Sequence, residues 1–149
     1  MKHPFVLNAV WNGGRNSTGT IDAGQLKTDI SIPQEMGGPG VGTNPDEMLL
    51  GAAATCYLIT LAAMLERSSI EPVSLTLTSE ATVDVTNNIF TYEAIRHLPV
   101  ITLAGEATEE AVQKTLRLAY KAESSCMISR AVAGNVQITT EPVVLTAGD

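Results

Sequence analysis

The sequence predicts an α+β fold in which antiparallel sheets pack on two long helices. Three observations predict it. Short segments of alternating polarity are separated by turn signals, as in strands joined by hairpins. Residues 48–65 form an uncharged, largely apolar run of 18 residues. After Thr108 the apolar residues recur at helical spacing.

Residues 4–11 (PFVLNAVW) read as a strand that ends at the turn Asn12-Gly13-Gly14. Residues 18–21 and 25–32 form a hairpin around Asp22-Ala23-Gly24. In its second arm Leu26, Thr28, Ile30 and Ile32 alternate with Lys27, Asp29 and Ser31, so one face is wet. GGPGVG at 37–42 is too rich in glycine for regular structure. The first helix opens at Asn44, an N-cap residue, with Pro45 at the first helical position, where its missing N–H costs nothing. Glu47 stands at capping-box spacing from Asn44, and both Asp46 and Glu47 suit the positive end of the dipole. The helix runs to about residue 67, where Ser68-Ser69 and Pro72 stop it.

Residues 73–85 alternate as a strand, Asn87-Asn88 turns the chain, and residues 89–103 return with an interruption near Pro99. Thr108-Glu109-Glu110 opens a second helix whose stripe is Val112, Thr115, Leu116, Ala119 and Ala122; it ends near Ser124-Ser125. A short helical turn at 128–133 closes on Gly134-Asn135, and residues 136–145 form a last strand. No repeat or linker divides the chain, so a single domain over 1–149 is expected.

Composition narrows the function. Nine Lys and Arg against 16 Asp and Glu give a net charge of −7. A chain so acidic lacks the basic stripe that binds nucleic acid or an anionic membrane surface. With 44% hydrophobic and 17% charged residues it is not disordered. Two cysteines exclude a disulfide scaffold, and MKHPFVLNAVW is not a signal peptide, so a cytoplasmic protein with reduced thiols is expected.

The run 48–65 sits at the lower edge of a membrane-spanning length. It holds Gly51, Thr55 and Thr60 and is flanked by Asp46, Glu47, Glu66 and Arg67, so a helix buried in a protein core is the better reading. A helix apolar nearly all round needs cover on every side, and one sheet covers one side. Gly51, Ala52, Ala53, Ala54, Ala62 and Ala63 permit close approach of a second copy, which implies a homodimer with a shared core.

Cys56 lies in mid-helix and Cys126 follows the second helix, 70 positions on and less constrained. Two readings stay open on spacing alone: packing cysteines, or a redox couple. Cys56 is three turns past Pro45, too far for the helix dipole to activate it, so activation needs a cation from elsewhere. Arg15, after Gly13-Gly14, is a candidate; Arg130, four after Cys126, is either a second local cation or solvated. One cysteine pair with only His3 and His97 makes no metal-site pattern. Both histidines are expected at the surface. Tyr57 points about 100° away from Cys56 around the helix and reads as core filling.

GGPGVGTNPDEMLLGAAATCYLITLAAMLE (37–66) resembles the first cysteine helix of the OsmC/Ohr family, the osmotically induced and organic hydroperoxide resistance proteins. ESSCMISRAVAGNVQIT (123–139) resembles the family's second cysteine motif, and Gly13-Gly14-Arg15 sits where the family carries its active-site arginine. The resemblance implies an OsmC-like fold: antiparallel sheets wrapped around central apolar helices in an intertwined homodimer. It implies a thiol-dependent peroxidase that reduces organic hydroperoxides without cofactor or metal. Cys56 would be the peroxidatic thiolate, Cys126 its disulfide partner, and a dithiol, of lipoyl type as in much of the family, the reductant. Arg15 would accompany the thiolate and Asp46, with Glu47 beside it, would hold the arginine. The sequence departs from the family in two places: Asp46 stands where many members have Glu, and Met127 where hydroperoxide-resistance members often have Pro. The competing reading is a non-catalytic stress protein binding a small apolar ligand on the same fold.

Overall fold

A computed structural model describes residues 1–148, which form two compact units, residues 1–48 and residues from Leu49 onward. In the first unit, β1 (Asn8–Trp11), β2 (Gly19–Ala23) and β3 (Leu26–Ile30) make an antiparallel sheet in that order. Ala23 pairs with Leu26, so Gly24-Gln25 is a two-residue turn, and Gly24 takes the left-handed φ of 64° that glycine adopts freely. The expected strand at 4–11 is shortened to Asn8–Trp11. Its Asn8 pairs with Asp22, and β2 ends one residue later, so residues 4–6 have no strand beside them. At Gly42 (φ 68°) the Asp29 carbonyl oxygen occupies the place of a Cβ, which explains the glycine-rich loop at that point.

The helix α1 (Pro45–Arg67) begins in this unit as expected. Asn44 Oδ1 accepts the Glu47 amide at 2.9 Å, and the Thr43 hydroxyl donates to the Glu47 carboxylate at 2.9 Å. The residues buried along α1 are Ala53, Tyr57, Leu61 and Leu65, every fourth position. Although α1 is long and apolar enough to cross a membrane, this stripe makes it a core helix. The chain itself covers only that stripe. Thr55, Ile59 and Ala62 face outward, and Ile59 is 71% exposed.

In the second unit, β4 (Ser74–Thr86) and β5 (Ile89–Leu103) form an antiparallel hairpin. Its turn is Asn87-Asn88, with φ of 52° and 63°; asparagine tolerates the left-handed region that such a turn requires. The helix α2 (Glu109–Ser125) is capped by Thr108, whose hydroxyl accepts from the Ala111 amide at 3.1 Å, and it buries Thr115, Ala119 and Ala122. A short α3 (Met127–Val132) follows, then β6 (Gln137–Thr140) and β7 (Val143–Thr146).

Two expectations for the sheet are corrected. The last strand is two strands, broken at Glu141-Pro142, and both pair parallel with β5. A strand that returns after a helical crossover lies parallel to the one it left, and α2 and α3 are that crossover. Nor does Pro99 interrupt β5. The carbonyls of His97 and Leu103 point to the edge carrying β6 and β7, where they accept from Glu141 and Ala147. Pro99 shares that orientation, so its missing N–H falls where the neighbouring strand is itself broken.

The inner face of β5 buries Ile95, His97, Pro99, Ile101 and Leu103. Tyr57, Leu61 and Leu65 pack with Ile101, Leu103, Ala119 and Ala122, while Ala53 packs with Ile95 and Val136. The core is aliphatic, as the 4% aromatic content requires.

Candidate active site

Cys56 occupies the middle of α1 and is half-buried. Cys126 is fully buried, not loosely held as its place after a helix suggested. It is at once the residue that ends α2 and the residue that begins α3, its own amide bonded to the Ala122 carbonyl at 3.0 Å. The fold brings the two free thiols, 70 residues apart in sequence, near enough for each to shift the other's pKa.

The environment separates their proton affinities. Burial by itself raises the Cys56 pKa. Against it act the Cys126 thiol, the Ile128 and Met127 amides and the Thr60 hydroxyl, and the net result lies below the ordinary thiol value. Burial raises Cys126 as well, and the neighbouring Cys56 raises it further. The pair is therefore asymmetric: Cys56 ionises more readily than Cys126. The two amides come from the first turn of α3, which Cys126 itself starts.

Three expected site residues lie in the first unit. The exposed Arg15 donates from Nη1 to Asn16 Oδ1 at 2.8 Å and from Nη2 to the Met36 carbonyl at 3.2 Å. Asp46 is half-buried in the first turn of α1. Glu47 is exposed, with amide and carboxylate both engaged at the helix start. Arg130 is exposed.

Sequence reasoning missed the amide donors and His97. Far from the surface, His97 is fully buried on the inner face of β5, its ring stacked on Tyr57 with centroids 4.8 Å apart and planes 24° apart. Its Nδ1 lies 2.7 Å from Ser79 Oγ. Burial lowers its pKa and keeps the imidazole neutral. The alternation Ile95, His97, Pro99, Ile101 was the available signal, since period two places all four on one face. Tyr57 is core filling, as expected, with its hydroxyl donating to the Ala119 carbonyl at 2.7 Å. A cavity of about 650 Å³ between Leu65, Ile70, Pro72 and Leu75 includes neither cysteine in its lining. Among the described residues no cluster of three or more His, Cys, Asp or Glu could hold a metal ion.

A family model described as OsmC-like protein matches residues 37–141, a span that includes both cysteines. The chain belongs to the OsmC family. It is 56% identical over 147 residues to the uncharacterized protein YmaD of Bacillus subtilis, covering 99% of this chain and 98% of that one. It is 26% identical to an organic hydroperoxide resistance protein of Xanthomonas axonopodis pv. citri, over 91% of this chain and 92% of the relative. Among solved structures it resembles an organic hydroperoxide resistance protein OsmC from Legionella pneumophila, with a TM-score of 0.74 and 26% identity, covering 95% of this chain and 99% of that one.

A proline at position 127 would have no N–H. The Met127 amide is one of the groups that lower the Cys56 pKa, so this OsmC chain has a thiolate donor that a proline would remove.

Proposed function

We propose that this OsmC protein is a thiol-dependent peroxidase acting in organic hydroperoxide resistance. The observation that carries the reading is the asymmetric pair: a thiol held below its ordinary pKa beside a second thiol held above it. A packing pair has no need of that difference, whereas a nucleophile and its resolving partner do.

The Cys56 thiolate attacks the terminal peroxide oxygen. An S–O bond forms, the O–O bond breaks, and the alkoxide takes a proton and leaves as the alcohol. Cys56 is oxidised to the sulfenic acid by two electrons, and the peroxide is reduced by the same two. The Cys126 sulfur then attacks the sulfenic sulfur; the S–S bond forms, the S–O bond breaks, and hydroxide leaves as water with the Cys126 proton. A dithiol reductant, of lipoyl type by family resemblance, restores both thiols by exchange and becomes the cyclic disulfide.

The family resemblance alone assigns Arg15 as the cation that accompanies the thiolate and Asp46 as the carboxylate that holds the guanidinium. Glu47, bonded to Thr43, serves the helix start instead. Replacing Arg15 by Ala is expected to raise the Cys56 pKa, as the loss of an accompanying cation does; the pH dependence of Cys56 alkylation reads it. The reading includes a homodimer, because Ile59 and Ala62 leave apolar surface of α1 uncovered by the chain, and a cytoplasmic location, where thiols stay reduced. Light scattering of the dilute protein should give twice the chain mass of 15.7 kDa.

The direct test is a thiol titration. One equivalent of cumene hydroperoxide should consume both thiols and yield one disulfide per chain. Two thiols left intact would refute the peroxidase.

A further inference from the structure

Tyr57 follows Cys56 on α1 and joins three elements through one side chain. Its ring is fully buried and stacks on His97 of β5, and its hydroxyl donates to the Ala119 carbonyl of α2 at 2.7 Å. Ala119 lies two helical turns before Cys126 on the same helix. The phenol therefore ties the helix that carries Cys56 to the helix that ends at Cys126.

The two links between these helices differ in strength. A 2.7 Å O–H···O contact is at the most favourable length for that bond. Thiols are weak donors and weak acceptors. At this level the phenol is the stronger polar link between α1 and α2, beside the apolar packing of Leu61 and Leu65 with Ala119 and Ala122. His97 fixes the ring from the other side and is itself held by Ser79 on β4. The phenol stays protonated at any physiological pH, because burial and the Glu123 carboxylate both push its pKa up, so its donor role is constant.

We propose that Tyr57 is the positioning residue of the cysteine pair: its hydroxyl on Ala119 sets the α1–α2 spacing at which Cys56 meets Cys126, and His97 braces its ring. The kinetic part of this inference rests on the peroxidase reading; the spacing part does not, and the test separates them.

The test uses the full chain with Tyr57→Phe, which keeps the ring and its stacking and removes only the hydroxyl. Iodoacetamide alkylation of Cys56, followed by peptide mapping across pH, gives its apparent pKa without any peroxide. In Tyr57→Phe this value should rise toward the ordinary thiol value of about 8.5. Tyr120→Phe, at an exposed tyrosine of α2, should match wild type. A merely structural role would lower the melting temperature and leave this profile in place. His97→Leu, which removes the stack but not the hydroxyl, should shift the profile in the same direction by less, and it carries the test if Tyr57→Phe does not fold.

At pH 9, where Cys56 is largely ionised in either protein, disulfide formation after cumene hydroperoxide should be about 10–10²-fold slower in Tyr57→Phe, the scale of an ångström-sized misplacement. A folded Tyr57→Phe protein with the wild-type alkylation profile and the wild-type disulfide rate overturns the inference. A wild type inert to peroxide refutes the peroxidase reading alone, and the alkylation profile still decides the role of Tyr57.

Discussion

The Cys56→Ser protein should leave cumene hydroperoxide unreduced while folding as wild type. Cys56 is half-buried on α1 and belongs to neither buried cluster, so exchanging sulfur for oxygen removes no packing on which the core depends. What it removes is the nucleophile. The groups around Cys56 hold the thiol below its ordinary pKa; the same groups acting on a serine hydroxyl leave it protonated at neutral pH. Cys126 cannot take over, because it is fully buried and that burial raises its pKa. The expected loss is roughly 10⁶-fold, the scale seen when a catalytic nucleophile is deleted from a unit that otherwise remains assembled. The measurement is loss of peroxide under excess dithiol, corrected for the uncatalysed reaction. Turnover within tenfold of wild type would remove Cys56 from the mechanism.

The positions of the two cysteines in the chain say less about that asymmetry than the local elements do, and the same holds for the fold. Local rules carried far where one residue satisfies one neighbour. Asn44 caps α1, Thr108 caps α2, and Asn87-Asn88 turns the long hairpin, each as its side-chain chemistry demands. The stripe of α2 was legible for the same reason, since helical period alone fixes which residues share a face. What was not legible depends on partners far away in sequence. Period two identifies the strand at 136–145 but carries no information on whether it pairs parallel, and the break at Pro142 shows only once β5 is known to carry Pro99 at the matching place. Cys126 looked free because it follows a helix, yet ending α2 and starting α3 at one residue leaves it buried with no slack. The Met127 and Ile128 amides could not be read at all, because a backbone donor has no residue type of its own.

The Cys126→Ser protein should separate the two chemical steps. It should consume one equivalent of cumene hydroperoxide and then stall. Serine fits the buried site of Cys126 with little change in volume, and its hydroxyl can still donate toward Cys56, so the first step keeps one of the interactions that lower the Cys56 pKa. The second step has no resolving sulfur. The wild-type partner is held against Cys56 by the fold, and well-oriented intramolecular reactants act at effective molarities of about 10⁵ M or more. A dithiol in solution must replace that partner at millimolar concentration and reach a half-buried sulfur, so dithiol-supported turnover should fall by roughly 10²-fold or more. Cys56 should accumulate as the sulfenic acid, trapped by dimedone and visible by mass spectrometry. With excess peroxide it should pass to the sulfinic acid, which thiols do not reverse. The sulfinic product matters most: it forms only if Cys56 reacts while nothing captures its sulfenic acid, so it reports both the nucleophile and the missing partner in one peptide. If Cys126→Ser instead turns over like wild type and shows no Cys56 overoxidation, the thiol contact is packing, and reduction proceeds by one cysteine with the external dithiol attacking Cys56 directly.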